Sequence, residues 1–461
     1  MYKIIVTVRK FVGRHDELQM MVKALSQPGF KLYPIYGRRR IGKTALIKEF
    51  ISSHGGIYFL CTTGGVEKNL EYFSQAVSDL LEIPKMDVSN FREVFENAKK
   101  MGYTRGIIAM DEFPALIQSD EGVLGDFQFI VDEILSDTEM MLILCGSSVG
   151  MMENYVLDKE SPLYGRRTAQ MNLGPLRQSD IRQFLAGFEF KEQLDIQAMV
   201  GGVPRYLMEF TRHKTVKNAL SNSFFASDGY MYREGYLLLK DELRDPDTYT
   251  NILESIAMGN TKVTEIANAS YLQAKDLPKY LNVLFRLGLV ARENPITERN
   301  PRTKKSLYSI CDDYFRFYFR FVFPHRREIE YLEPDVPLRY YRENANHFMG
   351  PFWEDYVRGI VRERLGFSHV GRWWHGGEEI DIVGILEKQM LLCEVKWTNR
   401  RVGRDVVESL FRKSDMIKGY EKHSKRYLIV SRSGFTSGAV GLMEAEGIEH
   451  WDLNDVRRMV A

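Results

Sequence analysis

The segment Gly37–Thr44 reads GRRRIGKT and fits the phosphate-binding pattern GxxxxGK[ST], with an apolar strand before it and a helix after it. In such a loop, glycines let backbone N–H groups close around phosphate oxygens, and the helix N-terminus adds its dipole. Lys43 is expected to reach the β- and γ-phosphates of ATP, and Thr44 to bind Mg²⁺. The alternative, a basic surface turn, does not explain the flanking strand and helix. The predicted nucleotide-contacting residues are Gly37, Arg38, Arg39, Arg40, Ile41, Gly42, Lys43, Thr44 and Ala45.

Two acidic residues end a second apolar run, GIIAMDEF, at 106–113. Asp111 is expected to bind Mg²⁺ through water, and Glu112 to polarise the water that attacks the γ-phosphate. A third run, MLILCGSS, ends in Ser147 and Ser148. These hydroxyls either sense the γ-phosphate or cap a helix. The three runs predict buried strands that carry catalytic groups at their ends.

A different set of chemical groups lies in EIDIVGILEKQMLLCEVKW (379–397), where apolar runs flank the polar tip Glu387–Lys388. A hairpin centred on that tip makes Asp381 and Glu394 cross-strand neighbours, with Cβ atoms roughly 4.5–5.5 Å apart and Lys396 on the same face. An odd-length loop would instead move one carboxylate to the other face. Opposed carboxylates are destabilising unless a cation lies between them, so we expect Asp381 and Glu394 to hold Mg²⁺. Lys396 would then orient water or stabilise charge on a phosphate.

Between these segments the pattern becomes helical from about residue 245. One segment repeats apolar residues on a single helical face, at Leu277, Tyr280, Leu281 and Leu284. A strand, a basic loop and a second strand follow, an order typical of a winged helix. The loop residues expected on DNA phosphates are Arg299, Arg302, Lys304 and Lys305. The alternative is a protein–protein module with a basic hairpin tip.

Length and composition limit these interpretations. With 461 residues the chain is too long for one ordinary core, and three or four domains are expected. A formal net charge of +1 means that any contact with nucleic acid must use local patches. The four cysteines are widely spaced, which argues against a zinc ribbon or a disulfide framework and favours a reducing cytoplasm. No apolar run reaches the ~18 residues of a membrane span, and no signal peptide is expected.

Taken in order, FVGRHDEL, the phosphate loop, MDEF, GSS, SPLYGRR and GGVPRYL resemble the archaeal-type ATPases, which belong to the AAA+/STAND group of P-loop NTPases. This resemblance implies the residues beside the adenine: Phe11, Val12, Gly13, Arg14 and, from a helical lid, Pro204. It also implies that Arg166 or Arg167 contacts the γ-phosphate, in cis or from a neighbouring subunit. A homo-oligomer is therefore left open.

The C-terminal hairpin is similar to the PD-(D/E)xK nuclease superfamily, which many archaeal-type ATPases carry as a C-terminal domain. The resemblance implies that GPFWEDYVRGIVRERLG (350–366) is the first helix of that fold, with Glu354 as an additional acid beside the metal. Ile380 stands where the family pattern has proline, a departure that removes no ligand. The alternatives are a cross-strand salt-bridge cluster and a fold that binds DNA without cutting it.

The predicted fold class is α/β multidomain. We expect a P-loop ATPase core at 1–175, a helical lid at 176–244, a winged helix at 245–335 and a restriction-endonuclease-like α/β domain at 345–461. We predict a cytoplasmic ATPase that uses ATP and Mg²⁺ and binds DNA. It is expected to cleave the DNA in a catalytic site formed by Asp381, Glu394, Lys396 and Glu354. One alternative is a regulatory or signalling ATPase whose C-terminal domains bind DNA or protein. A remodelling ATPase is another.

Overall fold

The computed structural model of the chain describes residues 11–243, 245–300 and 303–460. These residues form two compact units. The N-terminal unit runs to Ala186 and includes Gly202–Thr211, and the C-terminal unit comprises Gly187–Gly201 and the chain from Arg212 onward. Among the described helices, none combines the length and apolar character needed to cross a membrane.

A parallel sheet organises the N-terminal unit. Within the described residues it has five strands in the order β2-β3-β4-β1-β5. These strands are β1 (Lys31–Tyr36), β2 (Ile57–Leu60), β3 (Arg105–Asp111), β4 (Glu139–Gly146) and β5 (Met171–Asn172). Every residue of β1 is buried, as expected for a parallel strand covered on both faces. Tyr36 is in register with Gly146, so the loops after β1, β3 and β4 begin at one edge of the sheet.

Helices cover this sheet, and phenylalanines from several of them meet in one core around Phe73, Phe91 and Phe127. Two short π-helical segments lie at Ile130–Ile134 and Glu153–Leu157. In the described part of the chain, ten α-helices lie between His15 and Phe210, and all of them except the helix Phe190–Val200 belong to this unit. They are α1 (His15–Leu25), α2 (Lys43–His54), α3 (Val66–Leu80), α4 (Phe91–Lys100), α5 (Pro114–Ser119), α6 (Val123–Phe129), α7 (Val149–Met152), α8 (Gln178–Phe184), α9 (Phe190–Val200) and α10 (Pro204–Phe210).

Helices also form the first part of the C-terminal unit. They are α11 (Val216–Ala219), α12 (Tyr230–Glu242), α13 (Pro246–Ala257), α14 (Val263–Ala269), α15 (Leu277–Arg286), α16 (Asp313–Phe317) and α17 (Arg326–Glu330). Between α15 and α16, β6 (Val290–Glu293) pairs antiparallel with β7 (Leu307–Ile310). The predicted order of three helices and a ribbon is therefore present in α13, α14, α15, β6 and β7.

The predicted apolar face of α15 is confirmed, because Leu277, Leu281 and Leu284 are buried and Tyr280 is half-buried. Polar residues Lys279, Asn282 and Arg286 are exposed on the same helix. In the ribbon loop, Arg299, Lys304 and Lys305 are exposed, whereas Arg302 lies outside the described residues.

A second sheet forms the C-terminal part of the chain. Its order in the described residues is β12-β11-β10-β9-β8. The elements are α18 (Asp335–Arg364), β8 (His369–His375), β9 (Glu378–Leu386), β10 (Gln389–Lys396), α19 (Arg404–Asp415), β11 (Ser424–Ser431), α20 (Ser437–Ala445), β12 (Glu449–Trp451) and α21 (Leu453–Val460). β9 pairs antiparallel with β8 and β10, whereas β10 and β12 run parallel to β11.

The predicted hairpin register is confirmed. Gln389 pairs with Leu386, and the pairing continues without a shift to Cys393 and Ile382. Asp381 and Glu394 are the next residues along their strands. The even-numbered loop that the register requires is therefore the two-residue tip Glu387–Lys388.

Candidate functional site

The phosphate loop connects β1 to α2, which begins at Lys43. The Lys43 ammonium is buried and donates to the carbonyl oxygens of Gly37 at 2.6 Å and Arg38 at 2.9 Å. Gly37 has φ +146°, and a Cβ there would come within 2.4 Å of the Leu173 carbonyl oxygen. This position therefore accepts only glycine. The loop holds a buried ammonium close to backbone oxygens, where a phosphate oxygen would be a stronger, charged acceptor.

Thr44 and Asp111 lie in direct contact at the sheet edge. The Thr44 hydroxyl donates to Asp111 Oδ2 at 2.6 Å, and the Tyr58 hydroxyl donates to the same oxygen at 2.8 Å. Hydroxyl and carboxylate oxygens are ligands that Mg²⁺ prefers, so the residues present fit this ion. Burial, and then the charge of Asp111, raise the pKa of the Tyr58 phenol, which keeps it a donor. The sequence-based prediction missed Tyr58.

Glu112 directly follows β3 and has φ +53°, a left-handed conformation. Its Oε1 accepts a 2.5 Å hydrogen bond from the Ser147 hydroxyl, and its Oε2 accepts from the Ser147 N–H at 3.4 Å. Ser148 instead caps α7 by accepting from the Met151 N–H. The two serines thus take different positions, and only Ser147 orients the carboxylate predicted to polarise water.

The segment predicted to lie beside the adenine is anchored by Arg14. Its guanidinium donates to the carbonyl oxygens of Ile41 at 3.0 Å and Gly174 at 2.7 Å. Phe11 and Val12 lie three and two residues before Arg14 and are half-buried. The structure therefore brings the chain before α1 against the phosphate loop.

Pro204 approaches the same loop from the start of α10. Its Cγ would lie 3.6 Å from a Cβ built on Gly42. Gly13 lies close to Asp180 of α8, because a Cβ there would come within 2.3 Å of the Asp180 carboxyl carbon. Elements far apart in sequence thus surround the loop within the N-terminal unit.

The two arginines of SPLYGRR have different partners. Arg166 forms a bidentate pair with Asp132, at 2.6 and 2.7 Å, and this pairing raises the pKa of its guanidinium. Arg167 donates to the Leu157 carbonyl oxygen at 3.2 Å. Its charge also partly offsets the rise in the pKa of Tyr36 that burial causes. Arg166 would have to leave Asp132 to contact a phosphate.

In the C-terminal unit, Lys396 forms ion pairs with both predicted carboxylates, Asp381 and Glu394. Its Nζ lies 2.8 Å from Glu394 Oε1 and 3.4 Å from Asp381 Oδ2. Asp381 Oδ2 also accepts from the Val395 N–H at 2.8 Å. Burial alone would lower the pKa of Lys396, but the charges of Asp381 and Glu394 raise it above its ordinary value. The ammonium therefore stays charged between the acids.

Glu354 of α18 belongs to the same cluster. Burial, and then the negative charge of Asp381, raise the pKa of Glu354 to about 8. Arg372 of β8 lies 3.9 Å from Glu354 Oε2 and 3.1 Å from Glu379. The structure thus brings together the four residues predicted for this site and adds Arg372, which the sequence-based prediction missed.

A second lysine, Lys413 of α19, also contacts this cluster. Its Nζ lies 3.0 Å from Glu394 Oε1, and its side chain is only 11% exposed. Lys413 shares the buried face of α19 with Val407 and Leu410. The signal that would have identified it is a lysine at helical spacing from apolar residues.

Some features of this cluster argue against Mg²⁺ binding, and one feature favours it. Among the described residues, no three His, Cys, Asp or Glu side chains are arranged to hold a metal ion. The expectation that crowded carboxylates require a metal is therefore not supported, because Lys396 and Lys413 already supply cations. Glu394 Oε2, however, is buried without a hydrogen-bond partner in the described part of the chain. This orphaned oxygen, with Asp381 nearby, suits a hard cation.

Comparison with known proteins identifies the chain. A family model for an ATPase domain found predominantly in Archaea matches residues 11–210, and a model for archaeal and bacterial proteins of unknown function matches residues 318–407. An uncharacterised protein of Methanocaldococcus jannaschii is 34% identical over 438 residues, which cover 92% of this chain and 95% of that protein. The chain belongs to this archaeal ATPase family. The protein is thus a P-loop ATPase.

The fold of this archaeal ATPase is similar to that of the Walker-type ATPase of Pyrococcus abyssi. The TM-score is 0.51 at 20% sequence identity, over 67% of this chain and 96% of that chain. At this identity the likeness concerns the fold alone. It confirms the predicted α/β P-loop core, which a separate mixed sheet accompanies in the C-terminal unit.

Proposed function

We propose that this ATPase binds DNA through its C-terminal unit and hydrolyses phosphodiester bonds there with Mg²⁺. The observation that carries the proposal is the cluster of Asp381, Glu394 and Lys396 on one hairpin, with Glu354 nearby. Two carboxylates, an additional acid and a lysine are the groups that metal-assisted phosphodiester hydrolysis needs.

In the N-terminal unit, the proposed roles follow the contacts. Lys43 exchanges its backbone acceptors for the β- and γ-phosphates of ATP, and Thr44 and Asp111 hold Mg²⁺. The ion neutralises charge on the phosphates when bound. Ser147 orients Glu112, which polarises the attacking water. Arg166 or Arg167 stabilises charge on the γ-phosphate, in cis or from a second subunit.

In the C-terminal unit, Asp381 and the free Oε2 of Glu394 would hold Mg²⁺. The ion would polarise the scissile phosphate and lower the pKa of a bound water. Lys396 stabilises negative charge on the phosphate, because it already lies between the acids with its charge retained. Val395 fixes the carboxylate of Asp381 through its N–H, so this ligand is positioned by the backbone of the neighbouring strand.

DNA contact is assigned to exposed basic residues of α15 and the β6–β7 ribbon. Lys279, Arg286 and Lys304 are exposed, and such side chains bind phosphates without reading sequence. The ribbon loop is attached to the edge of the second sheet, where the Ile296 N–H donates to the Arg372 carbonyl oxygen at 2.8 Å. DNA bound to the ribbon loop would therefore lie beside β8, the strand that carries Arg372.

Nicking of supercoiled plasmid by the full chain, with Mg²⁺ or Mn²⁺ and with or without ATP, tests the proposal. Asp381→Asn and Lys396→Met are expected to lower the nicking rate by about 100-fold or more, because each removes a group that stabilises the transition state. Glu387→Gln, at the exposed tip of the same hairpin, is the matched control and should nick like the wild type. Nicking that survives Asp381→Asn, or a wild type that never nicks, would contradict cleavage at this site.

A second candidate is a regulatory ATPase that binds DNA without cutting it. The pairing of Asp381 and Glu394 with two lysines favours this candidate, since these four groups balance in charge without a metal. Salt-dependent DNA binding by a wild type that does not nick with either ion would support this candidate.

A further inference from the structure

The two carboxylate oxygens of Glu394 have different surroundings. Oε1 accepts from Lys396 at 2.8 Å and from Lys413 at 3.0 Å. Oε2 is buried and has no hydrogen-bond partner in the described part of the chain. One oxygen of this proposed metal ligand is thus occupied by two ammonium groups, whereas the other is available.

Lys413 reaches Glu394 from a helix whose neighbouring side chains point to other partners. Arg412 pairs with Glu378 at 3.2 Å, and the Ser414 hydroxyl lies 3.0 Å from the Tyr427 hydroxyl. Within the described residues, Lys413 forms its ion pair with Glu394. Burying an ammonium costs several kcal/mol unless a charged partner compensates it, so Lys413 is held there by Glu394.

The four groups joined by these ion pairs therefore balance in charge before any ion arrives. Asp381 and Glu394 contribute two negative charges, and Lys396 and Lys413 contribute two positive charges. A divalent ion entering beside Glu394 would be repelled by both ammonium groups in a medium of low dielectric constant. Lys396 belongs to the proposed reaction, whereas Lys413 has no role in it.

We infer that Lys413 is an internal counter-cation that competes with a divalent metal ion for Glu394 and thereby weakens metal binding at this site. The inference rests on the proposed function, because it takes Glu394 as a metal ligand. Lys413 acts through Glu394 in this scheme: its ammonium holds Oε1, and its charge opposes a divalent ion at the neighbouring Oε2. Metal affinity is therefore predicted to rise when the charge of Lys413 is removed.

Calorimetric titration of the full chain with Mn²⁺, without nucleotide or DNA, tests this inference. Lys413→Met removes the charge but keeps an unbranched apolar side chain, and should tighten Mn²⁺ binding by about ten-fold or more. Lys413→Arg keeps the charge and should bind Mn²⁺ like the wild type. Lys418→Met changes an exposed lysine just beyond the same helix and is the matched control.

Further variants assign the effect to this site. The gain should vanish in the double variant Lys413→Met with Glu394→Gln, because the Mn²⁺ ligand is then lost while the phosphate loop is unchanged. If Lys413→Met does not fold, Lys413→Gln gives the same comparison with a neutral hydrogen-bond donor. A folded neutral variant that binds Mn²⁺ no more tightly than the wild type would overturn the inference.

The Mn²⁺ titration and the nicking assay test the role of Lys413 and the proposed cleavage separately. Tighter Mn²⁺ binding by Lys413→Met without nicking by any variant would overturn cleavage and leave the role of Lys413 standing. Nicking by the wild type with unchanged Mn²⁺ affinity in Lys413→Met would overturn only the role of Lys413.

Discussion

Each unit of the chain places a lysine at a candidate site, and the two lysines have different acceptors. Lys43 donates to the backbone carbonyl oxygens of Gly37 and Arg38, whereas Lys396 lies between the carboxylates of Asp381 and Glu394. A carbonyl oxygen carries a partial charge and is readily replaced by a phosphate oxygen, but a carboxylate holds an ammonium by a full charge. The phosphate loop is thus prepared for an incoming anion, and the C-terminal cluster is neutralised from within.

Each unit also contains a glutamate with a left-handed φ, and the reason differs between the two. Glu112 has φ +53° at the end of β3, and Glu387 has φ +51° at the hairpin tip. Such values are costly for residues other than glycine. At Glu112 the geometry directs a carboxylate to Ser147, whereas at Glu387 it closes a two-residue turn. Substitutions at matched positions can therefore test the comparison.

The largest effect is expected for Glu112→Gln. The amide cannot polarise the attacking water, so ATP hydrolysis should fall by about 10²–10⁴-fold while ATP binding is retained. Phosphate release and binding of a fluorescent ATP analogue measure the two quantities. Glu67→Gln, on the exposed face of α3, is the control and should hydrolyse ATP normally. Hydrolysis that persists in Glu112→Gln would show that another residue positions the water.

Next in size is the effect of Lys43→Ala on nucleotide affinity. Removing the ammonium leaves the phosphate charge to backbone N–H groups, so we expect ATP to bind about 100-fold more weakly. Titration with the same analogue measures this change, with Lys23→Ala on the exposed face of α1 as the control. Equal affinity in wild type and Lys43→Ala would contradict the phosphate-loop assignment.

Stability should distinguish the two lysines directly. Lys396→Met removes one of the two ammonium groups that are paired with Asp381 and Glu394, and should lower the free energy of unfolding of the C-terminal unit by roughly 2 kcal/mol. Lys43→Met should leave that quantity unchanged, because Lys43 belongs to the other unit. Denaturant unfolding followed by tryptophan fluorescence isolates the C-terminal unit. It contains all five tryptophans of the chain: Trp353, Trp373, Trp374, Trp397 and Trp451.

If Lys396→Met shifts the tryptophan transition no more than Lys43→Met does, the ammonium between the carboxylates contributes nothing to stability. Lys396 would then resemble Lys43 in having no effect on the stability of the C-terminal unit.

The smallest effect is expected at the hairpin tip. Glu387→Gly relieves the left-handed conformation but makes the unfolded chain more flexible, so the net gain should be only about 0.5 kcal/mol. The tryptophan transition again measures it. A loss of stability would contradict the turn geometry on which the register of β9 and β10 depends.

Local patterns in the sequence were sufficient to predict the phosphate loop, the hairpin register and the buried face of α15. Glycine spacing and the adjoining strand and helix predicted the loop around Lys43, because that geometry is set by consecutive residues. The polar tip and the two-residue period of the flanking strands predicted the register up to Cys393 and Ile382, since a one-residue slip would expose the buried face. The apolar spacing of Leu277, Leu281 and Leu284 predicted the buried face of α15 in the same way.

Only the tertiary structure decided which ion-pair and hydrogen-bond partners the predicted carboxylates have. The sequence alone favoured a metal between Asp381 and Glu394, but α19 packs so that Lys413 reaches Glu394. Likewise, Tyr58 of β2 donates to Asp111 of the neighbouring strand. Charges near a buried carboxylate are set by which elements pack against it, and packing joins residues that no local period relates. The sequence therefore determined which chemical groups are present and on which face they lie, whereas the tertiary structure decided which charges compensate them.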